Sequence, residues 1–350
     1  GGVAALTGLE PKAAEARLAD LAAAEIVVAQ AESKLAGERA FVFRTDLARE
    51  ATYASLTESD RVLGHRLAGE WLEQAGEDDA LVLAGHFERG GDGERAARHH
   101  LRAARRATAA CDFVGAAIIA SVGVACSGPG PVRGALHLLA AEAKQWRGSL
   151  DDASELLERA LQELPAGGDD WTSAMALLGL AEFRRGHRPE SEIVAERLLA
   201  AGRPARGVGA SRVLEFASAL VLFGRVELGT RLGELARADD ELGTQAGREA
   251  LRAVSAVMEG DFEMALEAQE RVVALLERAG DRRAAATELL NVAYFCTELG
   301  DYDRAEIVAL RAAELRDELG LFSQSAQTLA QVAARRGQTE RAIDLELEAI

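Results

Sequence analysis

Apolar residues recur at helical spacing through most of the chain. Ala305, Val308, Ala312, Leu315 and Leu319 follow one another at intervals of 3, 4, 3 and 4, and Ala265, Ala268, Val272, Leu275 and Ala279 repeat that rhythm. Such spacing lays a single apolar stripe along an α-helix. Each stripe opens with a short motif that begins with glycine and ends with a small residue. It reads Gly148 to Ala153 (GSLDDA), Gly260 to Ala265 (GDFEMA), Gly300 to Ala305 (GDYDRA) and Gly337 to Ala342 (GQTERA). Gly91 to Ala96 (GDGERA) fits too, and weaker copies run from Gly186 to Ser191 and from Gly224 to Gly229. From Gly148 onward the glycines stand 38, 38, 36, 40 and 37 residues apart.

The repeat extends beyond the turn. Twelve residues before each closing small residue stand Ala84, Ala141, Gly179, Ala217, Ala253, Ala293 and Ala330; seven residues after it stand Ala103, Ala160, Leu198, Ala236, Val272, Ala312 and Ala349. Together with the closing residues these make 21 slots, of which 19 hold Ala, Gly or Ser, types that fill only about a third of the chain. The pattern predicts pairs of antiparallel helices. Glycine ends the first helix because it reaches the left-handed cap conformation without penalty. Small residues mark where two helix backbones approach closely. One hairpin cannot bury its apolar stripe alone, so neighbours must stack.

The first seventy or so residues read differently. Pro11 to about Ala24 is an amphipathic helix opening on proline. Runs from Glu25 to Gln30 (EIVVAQ) and from Ala40 to Arg44 (AFVFR) are short strands around a polar loop with Gly37. Helices from Asp46 through Leu56 and from Glu58 to about Gln74 follow. The expected fold is therefore all-α: an α-solenoid of helical hairpins, about seven over residues 76–350, behind a small segment, 1–75, with one short β-hairpin.

The small residues at spacings of 12 and 7 resemble the tetratricopeptide repeat, over about Asp78 to Ile350. This chain departs from that family in its longer period, 36 to 40 residues against 34, and in lacking the first-helix Trp and Tyr. Proline near a repeat end occurs only at Pro165 and Pro204. An irregular helix around Asp112–Cys126 is expected to lengthen the first interval. Helix, two-stranded wing and helix match the closing part of a winged helix. The run from Phe41 to His65 (FVFRTDLAREATYASLTESDRVLGH), continued by Trp71 and by Leu83 to Gly90 (LAGHFERG), is similar to a segment of bacterial STAND-type signalling ATPases. There it joins a winged helix to carboxy-terminal tetratricopeptide-like repeats, most closely in serine/threonine kinase–ATPase fusions of myxobacterial type. Thr45 stands where that segment usually has His. The resemblance implies a non-catalytic regulatory region whose concave face binds a protein or peptide and whose partner within the protein is an upstream ATPase or kinase domain. Two alternatives stay open: part of a serine/threonine kinase with ATP binding upstream of this segment, and a transcriptional regulator of the repeat-containing ATPase type.

Charge narrows the partners. With 57 acidic against 40 basic residues the net charge is −17, which repels phosphate backbones. The helix before the wing carries Glu10, Glu15 and Asp20 against Lys12 and Arg17, a poor match to a DNA-reading helix. Nucleic acid is not an expected partner, nor is a membrane, since no run approaches the roughly 18 apolar residues of a span. Cys111, Cys126 and Cys296 are odd in number and unpatterned, as in a reduced, cytoplasmic protein. The start at Gly1 without methionine and the uncapped end at Ile350 are expected of a fragment.

Candidate chemistry is sparse, and no catalytic, cofactor-binding or metal-ligating residue is assigned. Gly128 to Gly134 (GPGPVRG) lacks the Lys-Ser/Thr of a phosphate loop and reads as a linker. His99 and His100, with His86, suggest a metal, but along the chain no Cys or acidic residue falls at ligand spacing. His65, His137 and His187 are isolated. Asp151–Asp152, Asp169–Asp170 and Asp239–Asp240 mark helix starts. Trp146 and Trp171 suit inter-repeat packing, and Arg102, Arg105 and Arg106 a solvated face. The residues that carry the reading are the repeat-defining ones: Ala84, Ala96, Ala103, Ala141, Gly148, Ala153, Ala160, Ala217, Ala253, Gly260, Ala265, Ala293, Gly300, Ala305, Ala312, Ala330, Gly337 and Ala342.

Overall fold

A computed structural model describes residues 1–202, 205–236, 240–318 and 325–348. Pro204, Asp239, Leu319 and Ala349, singled out above, lie outside them. The chain divides into two compact units, Gly1–Arg147 and Gly148–Ile350. Both are built of helices packed against their neighbours in sequence, an all-α solenoid of tetratricopeptide-like hairpins with one small β-hairpin.

The first unit holds α1 (Gly2–Thr7), α2 (Pro11–Ala23), β1 (Val27–Ala29), β2 (Phe41–Phe43), α3 (Asp46–Ser55), α4 (Glu58–Gln74), α5 (Ala80–Arg89), α6 (Gly93–Ala109), α7 (Phe113–Cys126) and α8 (Pro131–Trp146). The strands pair antiparallel, with Val27 opposite Phe43 and Ala29 opposite Phe41. Capping chemistry sets the helix starts. Thr45 Oγ1 accepts from the Ala48 N–H at 3.2 Å, and Thr57 Oγ1 from the Asp60 N–H at 3.2 Å. Thr45 is thus a helix cap. The glycine-rich run is a linker only in its first half, because Pro131 occupies the first turn of α8 and carries the helix through Gly134. The Asp112–Cys126 region is a regular helix, α7, capped by Asp112.

The second unit holds α9 (Leu150–Glu163), α10 (Asp169–Arg184), α11 (Arg188–Ala201), α12 (Gly207–Leu222), α13 (Val226–Glu234), α14 (Leu242–Glu259), α15 (Phe262–Ala279), α16 (Arg282–Glu298), α17 (Tyr302–Glu318), α18 (Ser325–Arg335) and α19 (Thr339–Glu348). The Gly-Asp motif explains its turns. Gly260 takes φ 80° and its N–H bonds Val257 O, while the Asp261 N–H reaches back to Ala256 O at 2.9 Å. Asp261 Oδ1 then accepts from the Met264 N–H at 2.9 Å and starts the next helix. Gly148, Gly300 and Gly337 hold the same positive φ. A side chain at Gly260 would strain this conformation whatever the space around it. Gly260→Val is expected to cost about 1–2 kcal/mol. Its urea midpoint decides: a midpoint equal to wild type removes this account of the turn.

Residues twelve apart meet where the helices cross. Ser191 Oγ donates to Gly179 O at 2.9 Å, and a Cβ at Gly229 would sit 2.7 Å from Ala217 O. Ala84, Ala96, Ala141, Ala153, Ala160, Ala217, Ala253, Ala265, Ala293, Ala305 and Ala312 are wholly buried, and Ala103, Ala330 and Ala342 are buried as well. On either side of Gly148, α8 and α9 fall in different units. Along the outside, Arg225–Glu192, Arg231–Glu196, Arg304–Glu270, Arg311–Glu277 and Arg341–Glu306 join residues 33 to 35 apart, about one repeat. All five are exposed pairs, each worth well under about 1 kcal/mol, so they fix register more than stability.

Candidate functional site

Two groups of polar side chains stand out once the hairpins are stacked. One lies in the second unit, on the first helices of successive hairpins. Arg184 of α10 and Arg212 of α12 each reach a different oxygen of Glu215, both at 3.3 Å. On α16, Glu288 accepts from Asn291 Nδ2 at 2.7 Å and from Gln269 Nε2 of α15 at 2.5 Å. Glu288 therefore has neutral donors only, and among the described residues no cation lies within ion-pair distance of it. Burial pushes its carboxyl pKa up, the two amide donors oppose this in part, and the charge of Glu215 adds to the rise.

A second carboxylate of this unit is satisfied in full. Glu182 of α10 is 7% exposed and accepts from Ser154 Oγ and from Arg185 Nη1, each at 2.7 Å, while His187 Nδ1 lies at 2.8 Å. Arg185 continues to Asp151 at 2.7 Å. Burial alone would raise the Glu182 pKa, but the three hydrogen-bonding partners outweigh it and hold the group below the ordinary glutamate range. This node ties α9, α10 and the following turn together.

In the first unit the histidines gather rather than scatter. Tyr53 OH meets His65 Nε2 at 2.8 Å, and His65 Nδ1 meets His86 Nδ1 at 3.2 Å. Burial and then the charge of Arg89 lower the pKa of both imidazoles. His99 stacks on Phe87, with ring centroids 5.4 Å apart and planes 3° from parallel, and its Nε2 lies 3.1 Å from Glu73 Oε1. His100, the next residue of α6, lies against Gly123 of α7. A ring nitrogen of His100, a carboxylate oxygen of Glu88 and Sγ of Cys126 lie within 4.8 Å of one another. Glu88 and Cys126 also line an open depression of about 630 Å³ with Gly91, Gly93 and Ser121. Sequence spacing did not reveal this trio, because its members are 12 and 26 residues apart on three helices.

The remaining candidates resolve simply. Trp171 is buried, whereas Trp146 is 41% exposed and stacked on Phe113. Arg106 pairs with Asp78 at 2.6 Å. Asp151, Asp152, Asp169 and Asp170 occupy first turns of α9 and α10, where negative charge suits the helix dipole. None of the three cysteines is in a disulfide; Cys111 is exposed and Cys296 buried. No helix among the described residues is long and apolar enough to cross a membrane.

No protein-family model matches the chain, and no curated protein does. Among solved structures, the chain is similar to a signal transduction ATPase with numerous domains (STAND), a protein with a tetratricopeptide repeat sensor from Pyrococcus horikoshii. The identity is 14%, the TM-score 0.47, and the match covers 99% of this chain and 47% of that one. The chain thus spans about half the length of that protein. The class assigned here, a helical-repeat scaffold, rests on the helices and turns of the chain itself.

Proposed function

We propose that this chain is the non-catalytic, partner-binding region of a bacterial signalling ATPase or kinase, and that the first helices of the second unit hold an extended peptide or protein segment. Residues 1–75 serve as part of a winged helix and its connecting helices, and residues 76–350 as the repeat array. Occupancy of the array is relayed to an ATPase or kinase domain upstream, in a cytoplasmic protein of the myxobacterial type. The resemblance of the Phe41–His65 run supports the domain order. Function does not follow from fold alone, so the specific reading needs a site.

The observation that carries it is Glu288 on α16, a part-buried carboxylate whose hydrogen-bond donors are the neutral amides of Gln269 and Asn291. The first helices of stacked hairpins offer a continuous surface to an extended segment. Glu215 is already neutralised by two arginines, while Glu288 has only amides. A lysine or arginine of the bound segment supplies the missing charge.

Titration calorimetry tests this with a panel of extended peptides carrying one Lys or Arg among apolar residues. Micromolar binding by wild type and at least a tenfold loss in Glu288→Gln are expected, with helical content unchanged. Equal affinity of the two proteins for every peptide that binds would remove the inner face as the site.

A further inference from the structure

The Glu88, His100 and Cys126 cluster lies outside the proposed peptide face and has a chemistry of its own. His100 is 6% exposed, and neither ring nitrogen has a hydrogen-bond partner. A neutral imidazole carries one donor and one acceptor. Leaving either unmet in the interior costs about 1–3 kcal/mol, so an orphaned buried histidine calls for an explanation. The nearest polar group is Glu88 Oε2, 3.7 Å from Nε2, which is too far for a hydrogen bond.

Packing around the ring is built for close approach. A Cβ at Gly123 would fall 2.8 Å from His100 Cβ, and a Cβ at Gly93 would fall 2.4 Å from the carbonyl oxygen of Cys126. Both glycines let the end of α7 settle against α6, which brings the Cys126 thiol to the imidazole. Glu88, at the last turn of α5, closes the set from the solvent side and is exposed, so its side chain is free to move inward. The open depression lies on that side and leaves room for water as a fourth ligand.

We propose that Glu88, His100 and Cys126 bind a zinc-class divalent ion, with one oxygen, one nitrogen and one sulfur donor and a fourth position open to the depression. A mixed O, N, S set suits Zn²⁺, which takes His at about 2.0–2.1 Å, carboxylate at about 2.0–2.2 Å and thiolate at about 2.3 Å in tetrahedral sites. Those bond lengths need donors about 3.3–3.8 Å apart. The His100–Glu88 separation already meets that, and the two separations to Cys126 Sγ, each within 4.8 Å, are closed by rotation of the Cys126 thiol together with the exposed Glu88. Imidazole in this set binds as the neutral ring and the thiol binds as thiolate, so uptake of the ion releases the Cys126 proton to solvent. The ion clips α7 to the α5–α6 hairpin.

Cobalt(II) substitution in the full chain, freed of metal by chelation, provides the test. One equivalent is expected to give thiolate-to-cobalt charge-transfer absorption and visible bands of tetrahedral intensity, and Zn²⁺ is expected to displace it. Cys126→Ser should abolish the charge-transfer band, Cys111→Ser should keep it, and Glu88→Gln should weaken Zn²⁺ at least tenfold in chelator competition. Because Glu88 is exposed, its variant folds whether or not a His100 variant does. Absence of the charge-transfer band in wild type, or Zn²⁺ affinity unchanged in both Glu88→Gln and Cys126→Ser, would overturn the assignment.

Discussion

Gly179→Val is expected to lower the stability of the second unit by about 3 kcal/mol. A Cβ at residue 179 would lie 2.3 Å from Cε1 and Cζ of Phe216, and that ring is wholly buried on α12. Neither side has room to yield. Gly179 lies on α10 between two packed partners, with its carbonyl accepting from Ser191 on α11 while its Cα faces Phe216 on α12. Helix propensity pulls the other way, since any residue other than glycine or proline gains up to about 1 kcal/mol in a helix interior. Overpacking of a filled core costs about 1–3 kcal/mol and the branched valine lies at the upper end, so the clash wins. Urea unfolding followed by circular dichroism measures the loss. Phe216→Leu in the same chain makes room, and the double variant should recover at least about 1 kcal/mol relative to the sum of the singles. A valine variant as stable as wild type would show that α10 and α12 do not approach as described.

That close approach is the part of the molecule most legible beforehand. Small residues twelve apart, with a Gly-Asp turn between them, leave few alternatives, because the glycine ends one helix and the aspartate caps the next. The β-hairpin was legible in place but not in length. The first strand starts at Val27 rather than Glu25, because Glu25 holds a positive φ of 58° and cannot join a ladder. The two candidate sites were opaque for different reasons. Among the described helices all but α1 and α7 carry charged residues, so nothing along the sequence distinguishes Glu215 and Glu288 from dozens of solvated carboxylates. Only stacking selects them. The Glu88, His100 and Cys126 cluster depends on α7, the helix that interrupts the repeat period. Its last residue reaches His100 only because Gly93 and Gly123 lack side chains, and ligand-spacing rules along one helix do not anticipate donors from three.

Acid should expose the second large effect. Glu182→Ala is expected to destabilise the second unit by about 3 kcal/mol at neutral pH, since a buried carboxylate with three hydrogen-bonding partners leaves Ser154 and Arg185 unsatisfied when removed. Arg185 keeps Asp151, which limits the cost. The pH dependence gives the cause. The folded pKa of Glu182 lies below its ordinary value of 4.5. The unfolded chain therefore takes up the proton first, and the stabilisation from the ionised carboxylate is complete above that value. It fades as pH falls from about 4.5 through the folded pKa. The difference in urea midpoint between wild type and Glu182→Ala should accordingly shrink steadily as pH falls below about 4.5. Ser154→Ala, which removes a single donor, should cost about 1 kcal/mol and narrow the same pH window. A midpoint difference that stays level down to pH 3 would mean that Glu182 acts through packing of its methylenes and not through its charge.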